Sequence, residues 1–159
     1  MATYTFQDQE NKQFWIPPGD YIVFVEAYEF KVCKAGKCAG SDMLALELKP
    51  MGRIVNGQME PVEGGTVYDN LIFAENCYWK IDCFLKAMGF KAKKGEPLTV
   101  DENFMKAYIL GKMGWATLSK AQYDKKDGSK GDKNEIAVWI TKGKPDPSKY
   151  FTAPDEDTV

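Results

Sequence analysis

Hydrophobic and polar positions alternate with period two over most of this chain, and the period changes once. From Tyr21 the residues split into two rows, Tyr21, Val23, Val25 and Ala27 on one and Ile22, Phe24, Glu26, Tyr28 and Phe30 on the other. That is the signature of a long β-strand, whose successive side chains point to opposite faces. Pro17, Pro18 and Gly19 mark its start, because proline supplies no ladder donor and glycine permits the turn. The first row is compact enough to line a small barrel. The second holds three aromatics and a charge, so it is expected near water, where exposed rings serve as stacking surfaces. Asp42 to Lys49 alternates again, with Leu44, Leu46 and Leu48 on one side, and pairs with the first strand as a hairpin.

Pro50 to Gly65 holds four glycines and two prolines and reads as a loop. A third strand runs from Thr66 to Phe73. The period then becomes helical, with Cys77, Ile81, Phe84, Leu85 and Met88 in one stripe, Asn76 as the expected N-cap and Gly89 as the stop. Lys91 to Asn103 is a connection. A fourth strand is expected from Met105 to Ala121, kinked at Gly111 and Gly114, with Ala116 and Leu118 inward and Trp115 outward. Gln122 to Asn134 is a hairpin tip. A fifth strand, Glu135 to Thr141, is expected to turn Ile136, Val138 and Ile140 inward and Trp139 outward, beside Trp115.

Three strands, a helix and two more strands is the order of the oligonucleotide- and oligosaccharide-binding barrel, so the expected fold is mainly β, a five-stranded barrel with one helix between strands three and four. The expected organisation is an N-terminal arm at residues 1–13, the barrel at 14–145 and a disordered acidic tail at 146–159. A chain of 159 residues suits one such domain.

Composition narrows the chemistry. The sequence contains no histidine, which removes Ser-His-Asp and Cys-His catalysis and every His-dependent metal motif. Cys33, Cys38, Cys77 and Cys83 are spaced C-x4-C and C-x5-C, unlike the C-x2-C pairs of zinc sites, and are expected to be reduced thiols. A metal-dependent nuclease would need Asp42, Asp69, Asp101 and Glu102 to converge, and nothing in their spacing compels it. The expectation is therefore a non-enzyme without metal or cofactor. With no 18-residue apolar run and no leader pattern, it is also expected to be cytoplasmic, with no membrane partner.

The formal charge of −2 is unevenly spread. Lys31, Lys34 and Lys37 crowd the first hairpin tip, and Lys125, Lys126 and Lys130 the last one, where Asp124, Asp127 and Asp132 partly cancel them. In a barrel of this order both tips flank the binding face. The candidate phosphate contacts are these six lysines with Arg53 and Lys112. The candidate stacking rings are Phe24, Tyr28, Phe30, Tyr68, Trp115 and Trp139. The acidic tail at 153–159 is a candidate site for replication or recombination partners. Its three acids, Asp155, Glu156 and Asp157, take the formal charge from +1 to −2.

The runs Pro-Pro-Gly-Asp-Tyr-Ile-Val at 17–23, Lys-Ala-Gly-Lys at 34–37, Met-Leu-Ala-Leu-Glu-Leu at 43–48, Tyr-Asp-Asn-Leu at 68–71, Leu-Lys-Ala-Met-Gly at 85–89 and Asn-Glu-Ile at 134–136 resemble, in that order, a family of small phage-encoded single-stranded-DNA-binding proteins. The resemblance covers about residues 14–142, and the chain departs from the family pattern in its cysteines and in residues 50–65. It implies sequence-nonspecific binding of single-stranded DNA in phage replication or recombination, in the cytoplasm of the host. The alternative is a phage protein–protein interaction or virion module that uses the same barrel and self-associates as a homo-oligomer through its exposed aromatics.

Overall fold

The computed structural model describes residues 1–7, 16–63 and 65–152. Among these, the chain is mainly β. Strands β1 (Gly19–Val32), β2 (Asp42–Val55), β3 (Gln58–Pro61) and β4 (Val67–Ile72) precede helix α1 (Tyr78–Ala87). A short helix α2 (Glu102–Phe104) then runs into a π-helical turn at Met105–Ile109, followed by β5 (Met113–Asp124) and β6 (Lys130–Trp139). No described helix is long and apolar enough to cross a membrane.

All pairings are antiparallel within one six-stranded sheet. Its path is β3-β2-β1-β5-β6, and β4 pairs with the first half of β2. The sheet therefore has six strands where five were expected, and it stays open: β4 and β6 lie side by side without a ladder. The additional strand is β3, inside the segment expected to be a loop. It pairs with β2 through a two-residue turn at Asn56-Gly57, whose φ angles of 51° and 76° are those a tight hairpin demands.

The expected core row of β2 holds, and that of β1 holds as far as Val25: Ala27 turns outward beyond the slip after Val25, and Ile22, expected near water, is fully buried. Tyr21, Val23, Val25, Leu44, Leu46 and Leu48 are all buried, with Val67 and Leu71 of β4 and Ala116 and Leu118 of β5. The α1 stripe also holds: Ile81, Phe84, Leu85 and Met88 close the core from one end. Gly89, at φ 82°, ends the helix while its N–H returns to the Lys86 carbonyl. Asn76 does not cap it, because a 3-10 turn at Glu75–Cys77 intervenes and Cys77 takes the cap position without a side-chain bond.

Residues 105–109 are helical instead of strand. Asp101 accepts a hydrogen bond from the Phe104 amide at 2.9 Å and starts a turn that buries Phe104, Met105 and Ile109. Strand β5 begins only at Met113. Gly114 is required where it stands: a Cβ there would lie 2.8 Å from Met88 Cε and closer still to the Ala87 carbonyl oxygen, so its absence lets α1 rest on the sheet.

Three register slips decide which face each later side chain takes, the first of them leaving Met51 of β2 as the extra residue between the Ile22–Gly52 and Val23–Pro50 pairs. In β1, pairing slips between Val25 and Ala27, leaving Glu26 as the extra residue. In β6, Ala137 is the extra residue, since Thr117 pairs with Val138 and Leu118 with Ile136. One inserted residue exchanges the two faces of a strand beyond it.

Candidate nucleic-acid interface

The lysine-bearing hairpins stand at opposite ends of β4. The β1–β2 tip, residues 33–41, begins where Met43 pairs with Ile72 and the Phe73 amide reaches the Asp42 carbonyl at 2.8 Å. At the other end of β4, Gly65, Thr66 and Tyr68 face Tyr123, Asp132 and Lys133 of the β5–β6 hairpin across an open groove of about 1310 Å³. Six residues of strand make the wall between the two tips about 20 Å long.

Cross-strand register identifies that wall. The core-facing row of β2 is Leu44, Leu46 and Leu48, so Met43, Ala45, Glu47 and Lys49 face outward. They are flanked by Lys31, Glu29, Ala27 and Phe24 on β1 and by Ile72, Asn70 and Tyr68 on β4. Ala27 and Ala45 leave the centre shallow. Tyr68, 67% exposed, rises from it with its hydroxyl 3.5 Å from Glu47 Oε1. Tyr123, 43% exposed, stands across the groove.

Charge is distributed in the same geometry. Lys34, Lys37, Lys125 and Lys126 are exposed and carry no ion pair among the described residues. Lys31 pairs with Glu29 at 3.5 Å and Lys130 with Asp124. The β5–β6 tip is shaped by Asp127, whose carboxylate accepts from the Ser129 hydroxyl at 2.6 Å and the Ser129 amide at 2.9 Å. Those bonds, the hydroxyl's first, hold its pKa below the ordinary Asp value. The groove between β4 and β6 is acidic, with Glu63, Asp69, Asp132 and Glu135 against Lys80 and Lys133. At its floor Asp69 is 8% exposed, and it accepts from Lys80 Nζ at 2.6 Å and from the Trp139 indole N–H at 3.0 Å.

Several expected rings stand elsewhere. Trp139 is buried in the core, with its ring 4.9 Å from that of Phe84, because the Ala137 bulge turns it inward and leaves Val138 57% exposed. Trp115 does face outward, but it is only 4% exposed. The segment after β6 folds back over it: the indole donates to the Pro145 carbonyl at 2.7 Å and Lys144 Nζ lies 5.2 Å from the ring centre. The two tryptophans therefore occupy opposite faces, and neither is open to a base.

Phe24, Tyr28 and Phe30 do not form one row. Phe24 stays on the outer face, half-buried, while the Glu26 bulge moves Tyr28 and Phe30 to the core-facing row opposite Leu46 and Leu44. Tyr28 packs on the core and Phe30, 41% exposed, meets it edge-on at 5.7 Å. Arg53 is occupied internally. It donates to the Tyr21 hydroxyl at 3.3 Å, pairs with Glu60 at 3.7 Å and lies over the Tyr21 ring. Burial, partly offset by Arg53, raises the pKa of Tyr21 above the ordinary Tyr value. Lys112 is exposed where β5 begins, beside Phe24 and away from both tips.

Sequence reading passed over Tyr123, Lys49, Lys80 and Lys133. Tyr123 continues the β5 alternation past Ala121, and the signal was masked by the lysines and glycines that follow it. The four carboxylates of the nuclease reading are dispersed: Asp69 is committed to Lys80 and Trp139, Asp101 caps α2, Glu102 pairs with Lys106 at 4.0 Å, and Asp42 sits exposed at the start of β2. Among the described residues, no three Cys, Asp or Glu side chains are placed to hold a metal ion. The acids of the tail at 153–159 lie outside the described residues. No protein-family model matches the chain, and no curated protein matches it.

Proposed function

We propose that this chain binds single-stranded DNA without sequence preference and without covalent chemistry, on an oligonucleotide-binding barrel whose seam between β4 and β6 is unclosed. What supports the fold reading is the pairing path β4-β2-β1-β5-β6 with α1 in the β4–β5 connection. The observation that carries the function is the placement of the two lysine hairpins at either end of the β4 wall, with Tyr68 exposed between them.

In this reading the ammonium groups of Lys34, Lys37, Lys125 and Lys126 take phosphates and release counterions. Tyr68 and Tyr123 replace the two buried tryptophans as the rings on which bases stack, which is tolerant of sequence because every base has a π face. The acidic floor repels phosphate, so the backbone is held at the ends and bases lie over the middle. A role in phage replication or recombination follows from the family resemblance in the sequence.

The test is fluorescence anisotropy of a labelled oligonucleotide, titrated as single strand, duplex and RNA at two salt concentrations. Four phosphate contacts on a single strand predict a slope of about −3 in log K against log salt. A single strand that binds no better than duplex, or binding indifferent to salt, refutes the reading. Trp quenching is a weak reporter here, since Trp79 alone is exposed among the described tryptophans. The groove's excess of carboxylates favours the second reading, a docking module for a basic protein segment. It predicts no response to any of the three nucleic acids.

A further inference from the structure

We propose that Cys38, on the β1–β2 hairpin tip, and Cys77, at the foot of α1, form a dithiol that closes to a disulfide and ties the lysine-bearing tip to the helix. The two come from segments 39 residues apart, and the tip's own fold brings them together. Gly36 and Gly40 adopt φ angles of 77° and 92°, the Gly40 amide returns to the Cys33 carbonyl at 2.7 Å, and the Ser41 amide reaches the Cys38 carbonyl at 3.0 Å. This compact loop turns the Cys38 thiol onto the 3-10 turn that leads into α1, where it donates to Asn76 Oδ1 at 3.7 Å, one residue from Cys77. All four thiols are free and half-buried. Cys33 is the third thiol nearby, but its S–H is turned back to the Ala35 carbonyl at 3.3 Å, inside its own loop.

Burial first, then a hydrogen bond with the Cys38 thiol, holds Cys77 above the ordinary thiol range, against a smaller opposite pull from Lys80. In the exchange Cys38, on the hairpin tip, acts as the first nucleophile and Cys77 as the resolving thiol. The oxidant is a small-molecule disulfide such as oxidised glutathione. The Cys38 thiolate attacks one of its sulfurs, a protein–glutathione disulfide forms, and the first glutathione leaves as thiolate and takes up the proton. The Cys77 thiolate then attacks the Cys38 sulfur and expels the second glutathione, which is protonated in turn. Two protein thiols are oxidised and one glutathione disulfide is reduced. The bridge fixes the position of Lys34 and Lys37 beside the β4 wall, whatever occupies that wall.

The full chain incubated with oxidised glutathione under native conditions tests this by thiol counting and non-reducing peptide mapping. Free thiols fall from four to two, the intact mass drops by two hydrogens, and a peptide joining Cys38 to Cys77 appears and is lost on reduction. Cys77→Ser accumulates the glutathione adduct at Cys38, whereas Cys33→Ser and Cys83→Ser close as the parent does. A Cys33–Cys38 peptide, a stable glutathione adduct on the parent chain, or four thiols persisting overturns the proposal. The parent map is decisive by itself, so a variant that fails to fold does not shelter the idea.

Discussion

Replacing Asp69 by Ala removes the carboxylate that joins β4, β6 and α1 at the groove floor. Both oxygens are used, one by Lys80 and the other by the Trp139 indole, and the residue is 8% exposed. Breaking a buried pair costs about 3–5 kcal/mol when the abandoned charge stays buried. Here the Lys80 side chain is 30% exposed and keeps the Asn70 carbonyl at 3.3 Å, so its share shrinks to about 1 kcal/mol. The Trp139 indole, 3% exposed, has no such escape, and leaving its N–H unpaired costs about 1–3 kcal/mol. The expected destabilisation is about 2–4 kcal/mol. Asp69→Asn keeps an acceptor for the indole and should cost about 1 kcal/mol. Urea unfolding followed by far-ultraviolet circular dichroism measures both without relying on the perturbed tryptophan. An Asp69→Ala loss under about 0.5 kcal/mol, or equal losses for Ala and Asn, refutes the assignment of the larger share to the indole bond.

Three further outcomes follow from the geometry. Tyr68→Ala should weaken single-strand binding by about 1–3 kcal/mol and leave the salt slope unchanged, as anisotropy titrations at several salt concentrations would reveal. Gly114→Ala should destabilise by about 2–3 kcal/mol in urea melts, because the new methyl meets the Ala87 carbonyl and the helix must retreat from β5. Asp20 is held below the ordinary Asp value by the Thr117 hydroxyl at 2.6 Å and then by Lys144 at 2.9 Å, so its contribution is present above pH 3.8 and lost as pH falls through the lower folded value. Acid titration should therefore loosen the Lys144 segment over Trp115 and red-shift its emission. Asp20→Asn should flatten that acid limb, and Trp115→Phe should remove the spectral change.

Alternation in the sequence was a faithful guide until the first residue that left the ladder. Tyr21, Val23 and Val25, and Leu44, Leu46 and Leu48, face the core as their period requires, and the four-and-three spacing of Ile81, Phe84, Leu85 and Met88 is a helix. Period two carries no mark for an inserted residue, so Glu26 and Ala137 silently exchanged the faces of Tyr28, Phe30 and Trp139. Trp115 lies on the strand face its alternation predicts and is hidden for a different reason: the chain that covers it comes from Lys144 and Pro145, beyond the last strand. Two signals were present but outweighed. Asn56-Gly57 announces a hairpin, and Asp101 ahead of Phe104 and Met105 announces a helix start, yet the glycines of 50–65 and the expected barrel strand hid them.

The open seam has a physical cause that bears on any occupant of the wall. Midway along β6 the Asn134 side chain does the work of a strand neighbour: its Oδ1 accepts from the Ile16 amide at 2.7 Å and its Nδ2 donates to the Ile16 carbonyl at 2.9 Å. Ile16 is lodged against Gly65, where a side chain would meet it at 3.1 Å, so the chain entering β1 crosses between β4 and β6 just where a ladder would start. Further along, Asp69 and Trp139 bridge the same two strands through side chains. Between those points the main chains stand apart and the groove opens. Because side-chain bonds span this seam and no backbone ladder does, its width is set by Asn134, Asp69 and Trp139. Asp69→Ala should accordingly alter what the wall binds as well as how firmly the chain folds. Under the proposed function, single-strand affinity measured well below the unfolding midpoint should change for Asp69→Ala and stay near the parent value for Gly114→Ala, whose clash falls at Ala87 and Met88, the far end of α1 from Lys80.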